Sequence, residues 1–216
     1  MIYYMYERSF VLKKIMDKQT LTQGGRTKSE ITHVAYRLFL EQGYHGTSMR
    51  QIAQKSGIAL GGIYNHFESK EQIFTDVIVA HHPYCEVIPA LQAAQGETVE
   101  EFVRDAAGRL VSNMDDRLDF LKLLFIELVE FNGQHIPQIF DIFFPEVLEF
   151  ARRFTSDRSE LRNIPAPILV RAFIGMFFSY FMTEILIGQF LPPEMNENTL
   201  DHFIDIYLNG ILAVES

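Results

Sequence analysis

Residues 47–67 read TSMRQIAQKSGIALGGIYNHF, and the fold is decided there. Ser48 and Gln51 have capping-box spacing, so a short helix begins at Thr47 or Ser48 and turns Ile52 and Ala53 inward. Gly57 supplies a residue able to take positive φ at a tight turn. A second short helix follows from about Ala59, with Ile58, Ile63 and Phe67 spaced to pack on the first. The small Ala53 lets the two helices approach closely, and the second helix is left exposed, as insertion in a DNA major groove requires. The pattern is a helix-turn-helix.

Outward from this stretch the periodicity stays helical. Ile31, Val34, Ala35, Leu38 and Phe39 fall at i, i+3, i+4, i+7 and i+8. Thr27 and Glu30 read as a capping box that starts that helix, and Gly43 is placed to stop it. The same grammar recurs at Thr98 and Glu101 ahead of Phe102, Val103, Ala106 and Leu110, and again in the apolar positions from Leu200 to Leu212. Apolar helical stretches at roughly 116–131, 136–154 and 167–190 are separated by Asn132-Gly133, by residues 163–167 and by Pro192-Pro193. No segment alternates with period two. The fold expected is all-α, about nine helices: an N-terminal extension (1–24), a three-helix head that carries the helix-turn-helix (25–69) and a helical body (70–216).

Charge supports a division into head and body. The 216 residues carry a net charge of −9, yet residues 1–75 hold 10 Lys+Arg against 6 Asp+Glu, while the remainder holds 9 against 22. A basic head suits a polyanion that an acidic body repels. One cysteine, Cys85, builds neither a disulfide framework nor a cysteine zinc site, which points to a reducing, cytoplasmic compartment. The most apolar run, Ala172 to Thr183, is 12 residues, short of the roughly 20 that cross a bilayer, and reads as a buried helix. The first residues, MIYYMYERSFVLKKIMDKQ, lack an apolar segment ahead of a cleavage site and do not read as an export signal. A start at Met16 and an extra helix are both open readings of them.

Gly43 to Ile73, GYHGTSMRQIAQKSGIALGGIYNHFESKEQI, resembles the DNA-binding head of a TetR-family transcriptional regulator. The likeness runs about 45 residues from Thr27. It lies in the order Gly43-Tyr44, Thr47, Ile52-Ala53, Gly57-Ile58, Gly61, Ile63-Tyr64, His66-Phe67 and Ser69-Lys70. The resemblance implies that Thr47 and Ser48 present hydroxyl and N–H groups to phosphate at a helix N-terminus. It implies that Tyr64 and His66 hold the DNA backbone beside the recognition helix, and that Lys70 contacts phosphate from the next helix. Arg50 and Asn65 are the polar groups suited to base edges, Arg to guanine and Asn to adenine.

The sequence departs from the family where it reads DNA. Ala59, Leu60, Gly61 and Gly62 stand where Ser, Lys, Gly and Thr are common, so base readout is expected to be sparse. Leu60 is left to touch a thymine methyl, and the paired glycines allow close approach to the backbone. Gly61 and Gly62 also destabilise the helix by roughly 1 kcal/mol each relative to Ala. Charge contacts from Arg50, Lys55 and Lys70 in a dimer predict a log–log salt slope of roughly −5.

Other chemistries are weaker. Gly57 and Gly62 have phosphate-loop spacing, but Ile63 stands where that loop needs Lys. Gly62-Ile63-Tyr64 matches half of a GIY-YIG nuclease signature without its second half. His81, His82, Cys85 and Glu86 with His135 invite a metal reading, which Pro83 disfavours by bending the helix between His81 and Cys85. His81, Ser112 and Asp115 lack a nucleophile on a strained turn, so no catalytic residue, metal or cofactor is expected.

In the body, the resemblance implies a small-molecule pocket, with Tyr84, Phe120, Leu124, Glu127, Phe173 and Phe177 as candidate lining for an apolar or aromatic ligand. A solvated helix face is the default for Glu127 and Glu130. The last two helices, with Gly175, Gly188 and Gly210 allowing close approach, are expected to pair with a second copy as a four-helix bundle. The reading is a homodimeric, ligand-responsive repressor of a pseudo-palindromic operator. The alternative is a small-molecule-binding or assembly protein with weakened DNA specificity.

Overall fold

Capping chemistry and apolar periodicity set the elements one by one. The computed structural model describes residues 22–82, 84–112, 117–156 and 158–212, which form eleven α-helices and one 3-10 turn, with no strand among them. They are α1 (Gln23–Gly46), α2 (Met49–Lys55), α3 (Leu60–Ile63), α4 (Lys70–His81), α5 (Tyr84–Gln92) and α6 (Val99–Ser112). Then come α7 (Arg117–Phe131), α8 (Ile136–Thr155), α9 (Ala166–Leu186), the 3-10 turn Gly188–Phe190, α10 (Pro193–Asn196) and α11 (Thr199–Ile211). Most of the extension 1–24 lies outside the described residues.

The two helices beyond the nine expected are α5 and α10. Both contain proline, and Pro192-Pro193 reads in the sequence as a breaker. Pro193 occupies the first position of α10, where a missing N–H costs nothing, and Pro89 sits in the nine-residue α5. The start of α1 also differs. Thr22, whose hydroxyl accepts from the Gly25 N–H, is the N-cap, and Thr27 lies inside the helix donating to the Gln23 carbonyl. Where an earlier cap exists, the helix begins there. The expected box at Thr98 and Glu101 is present, with the Glu101 N–H on the Thr98 hydroxyl and the Thr98 N–H on the Glu101 carboxylate.

The chain divides into two compact units. The first comprises residues up to 83 and 116–142, the second 84–115 and 143–216. The boundary expected at residue 69 thus falls inside the first unit, because α4 and α7 pack against α1. Its core is built by Ile31, Ala35, Leu38, Phe39, Ile52, Ala53, Ile63, Phe67, Ile73, Phe74, Val77 and Ile78, all buried. The second unit packs α6, α8, α9 and α11 around Phe102, Phe150, Phe154, Phe173, Phe177 and Tyr207, and the Tyr207 hydroxyl donates to the Leu169 carbonyl at 2.9 Å.

The long apolar stretch differs from its expectation. It becomes α9, 21 residues long and, by length and composition alone, sufficient to cross a bilayer, with 22% of its apolar window buried. Ile168, Ile174 and Phe178 on it are exposed, as is Ile206 on α11. Gly188, in contrast, is enclosed: a Cβ there would lie 2.9 Å from a Glu184 oxygen, so it does not belong to an open face as Gly175 and Gly210 do.

One titration follows from the first core. His81 stacks on Tyr36 at 3.7 Å and 5°, and burial, helped by nearby His33, pushes its pKa down to about 4. A base held neutral by folding releases its proton, so stability is complete above pH 6.5 and falls as pH drops toward 4. After allowance for its partial exposure, the loss is about 2 kcal/mol. Urea unfolding at pH 7 and 4.5 measures it, and His81→Phe is expected to remove most of the difference.

Candidate nucleic-acid interface

The helix-turn-helix is assembled by local signals. Gly43 takes φ 75° and ψ 175°, breaking α1 so that Tyr44 and His45 form a separate final turn. Ser48 caps α2 with the full box: its hydroxyl accepts from the Gln51 N–H, and its own N–H donates to the Gln51 side chain at 2.8 Å. The other end closes as a Schellman turn. The Ile58 N–H reaches the Ala53 carbonyl at 3.0 Å and the Gly57 N–H the Gln54 carbonyl at 3.2 Å, with Gly57 at φ 70°. Ala53 is buried under this turn, as closely packed helices require.

The recognition helix is short. α3 has a single α turn, capped by Ala59 without a side-chain bond, and then tightens: the Asn65 N–H reaches Gly62 and the His66 N–H reaches Ile63, both i to i−3. Gly61 and Gly62 both lie in this turn. Neither has positive φ, and a Cβ on Gly62 would stand 4.0 Å from the Ile58 Cβ, an ordinary contact. Gly62→Ala is therefore expected to stabilise α3 by about 1 kcal/mol, seen as roughly fivefold slower amide exchange at Asn65 to Phe67.

The expected contact residues fall into two groups. Ser48, Arg50, Leu60, Gly61, Tyr64 and Asn65 are exposed, Gly62 and His66 half-buried, with Leu60 at 44% and Tyr64 at 52%. Among the described residues Arg50 has no ion-pair partner, whereas Lys55 pairs with Glu41 at 3.8 Å. Thr47 and Lys70 face inward. Thr47 is 1% exposed, and its hydroxyl donates to the Gly43 carbonyl while accepting from the Gln42 amide, so it fixes the turn rather than offering itself to phosphate. The Lys70 ammonium donates to the Tyr44 and Thr47 carbonyls, both at 2.7 Å.

Tyr44 is the hub that the sequence did not reveal. Phe39, His45, Phe74 and Phe131 surround its ring with centroids 4.8–5.6 Å away, and its hydroxyl pKa is raised by burial and by Glu71 and Glu130. His45 pairs with Glu130 at 2.5 Å. Beside Phe131 lies a second surprise: Glu127 is completely buried, not solvated, and accepts from both the His135 N–H and His135 Nδ1 at 2.7 Å. This clamp closes the Asn132-Gly133 turn, where both residues have positive φ.

The candidate ligand pocket is not gathered within either unit. Phe120, Leu124 and Glu127 belong to the first, Phe173 and Phe177 to the packed core of the second, and the Tyr84 side chain lies outside the described residues. In the first unit a groove of about 280 Å³ is lined instead by Glu30, His33, Val34, Arg37, Leu38, Glu41 and Lys55. Among the described residues no three His, Cys, Asp or Glu side chains are grouped to hold a metal. The side chains of Cys85 and Glu86, and the whole of Asp115, fall outside what is described.

Comparison with known proteins agrees with this geometry. The sequence model described as "Bacterial regulatory proteins, tetR family" matches residues 31–77, from the core of α1 to Val77 of α4. The HTH-type transcriptional regulator AcrR of Shigella flexneri is 37% identical over 62 residues, covering 29% of each chain, so the alignment spans under a third of that relative's length. YvkB of Bacillus subtilis, also an HTH-type transcriptional regulator, is 20% identical over 87% of this chain and 98% of its own. The fold is shared with NalD, the secondary repressor of the MexAB-OprM multidrug efflux pump in Pseudomonas aeruginosa. The TM-score is 0.63, with 19% identity over 89% of this chain and 100% of that one. Residues 31–77, which carry the helix-turn-helix, thus match the tetR family of bacterial regulatory proteins, and the all-helical fold is one shared with a solved repressor.

Proposed function

We propose that the chain is a homodimeric repressor that leaves a pseudo-palindromic operator when a small apolar or aromatic ligand binds its body. The observation that carries the DNA-binding part is the capped α2. Ser48 holds its N-terminus, Arg50 extends into solvent from its first turn, and Leu60, Gly61, Tyr64 and Asn65 are exposed on α3 and just after it. The helix N-terminus and Ser48 suit phosphate, Tyr64 and His66 the flanking backbone, and Arg50 and Asn65 base edges.

The exposed residues of α9 and α11 support dimerisation. Ile168, Phe178 and Ile206 are 51%, 48% and 73% exposed, and Gly175 and Gly210 have open space where a Cβ would stand. A second copy placed there removes this apolar surface from water and holds two recognition helices at fixed spacing. Ligand release is then a population shift, and couplings of about 1–3 kcal/mol weaken operator binding roughly 5- to 150-fold. Such a regulator acts in the cytoplasm, where its DNA is, and carries out no catalysis.

The second reading, a binding or assembly protein with weakened DNA specificity, draws on Leu60, Gly62 and the single turn of α3. Selection from a random duplex pool separates the two. An inverted repeat with half-sites about one helical turn apart, or a multiple of it, supports the dimeric repressor, while a pool that never converges supports the alternative.

A further inference from the structure

We propose that Lys70 is a positioning residue of the DNA-binding surface and not one of its phosphate contacts. An ammonium has three N–H donors and no acceptor. In the structure two of them are spent on the carbonyls of Tyr44 and Thr47, and Nζ also stands 4.0 Å from the centroid of the Tyr44 ring. One N–H is left, while the other two and the Tyr44 ring hold the ammonium at the turn. The direction of its pKa agrees: burial holds it below the ordinary lysine value, although Glu130 pulls the other way.

The place of these acceptors gives the contact its consequence. Tyr44 and Thr47 bracket the turn that follows the Gly43 break, and Thr47 directly precedes the Ser48 cap of α2. Lys70 is the first residue of α4, itself capped by Ser69, whose hydroxyl accepts from the Gln72 N–H. One side chain therefore ties the start of α4 to the turn that sets the direction of α2, and with it the outward placement of Ser48 and Arg50. Gln42 binds the same turn from α1, through the Gly46 carbonyl and the Thr47 hydroxyl.

The functional consequence rests on the DNA-binding reading, but the positioning role itself is read in the free protein. Amide exchange of Thr47 to Ile52 is compared among wild type, Lys70→Met, Lys70→Arg and Lys55→Met, with exchange in α6 as the check that each variant is folded. Positioning predicts faster exchange of the turn, by tenfold or more, in both Lys70 variants, because a guanidinium does not fit between two carbonyls set for an ammonium. Lys55→Met leaves the turn unchanged. With DNA, Lys70→Met weakens binding at every salt concentration while keeping the wild-type salt slope.

A phosphate contact predicts the opposite in each arm. Free-protein exchange is then unaltered, Lys70→Arg behaves as wild type, and the slope of Lys70→Met falls by roughly 1.8 per dimer. Unaltered exchange in a folded Lys70→Met overturns the proposal whatever the slope. Should wild type bind no DNA, the functional reading fails while the exchange comparison still decides the role of Lys70.

Discussion

Glu127→Ala is expected to lower the melting temperature by about 6–12 °C, which corresponds to about 3 kcal/mol in a chain of this size. The carboxylate has no exposed surface, and its two oxygens take the backbone N–H and Nδ1 of His135. Removing it leaves two donors of a half-closed turn without acceptors, each worth about 1–3 kcal/mol when buried. Asn132 and Gly133 at positive φ depend on that closure. Glu127→Gln provides the sharper comparison. Its carbonyl keeps the backbone bond, and its amide donates to Nδ1 once the imidazole moves its proton to Nε2, so the loss is about 1 kcal/mol. Equal losses in the two variants, followed by differential scanning calorimetry, contradict the hydrogen-bond account of this clamp.

The second large effect concerns readout. With Ala59, Leu60 and Gly62 in place of polar side chains, Arg50 is the charged side chain left at the expected base-reading positions, exposed and without an ion-pair partner among the described residues. An Arg–guanine contact is worth about 1–3 kcal/mol, and a dimer makes it twice. Arg50→Ala is thus expected to reduce specific affinity by roughly 30-fold to more than 10⁴-fold, with a much smaller change on random DNA. Arg50→Lys keeps the charge and loses the fork, so its non-specific affinity survives while its specificity collapses toward that of Arg50→Ala. Unchanged ratios of specific to non-specific binding in both variants remove Arg50 from base readout.

What was legible in the sequence was what is local. The Ser48–Gln51 box, the Gly43 break and the Gly57 turn each depend on residues within a turn or two, and each is present. Two groups expected at the DNA surface turned inward because their partners are distant or compete locally. Lys70 meets carbonyls 23 and 26 residues earlier, and Thr47 finds the Gly43 carbonyl one turn back. Glu127 was assigned to solvent because helical periodicity does not show that its partner lies eight residues on, across a turn of positive φ. The compact units also divide the chain elsewhere than at residue 69. Charge divides the chain by composition, whereas the packing of α4 and α7 on α1 follows from buried surface.

The same limit explains the body. Phe173 and Phe177 carry an aromatic pattern equally suited to a core or a pocket wall, and the structure packs them with Phe150 and Tyr207. Periodicity found α9 but not its exposed side, because apolar residues around most of a helix do not say which neighbour covers them.

The central claim, that this head binds DNA as a sequence-specific regulator, is tested most directly by fluorescence anisotropy. The probe is a labelled duplex from the DNA flanking the coding region, with a random duplex alongside, at several salt concentrations. With Lys70 committed to the turn and Arg50 on a base edge, Lys55 is left as the phosphate-meeting charge of each subunit, and the account predicts a slope of log K against log salt of roughly −2. It also predicts specific binding at least 10³-fold tighter than random. A slope near zero, with equal affinity for both duplexes and for any duplex recovered by selection, contradicts it.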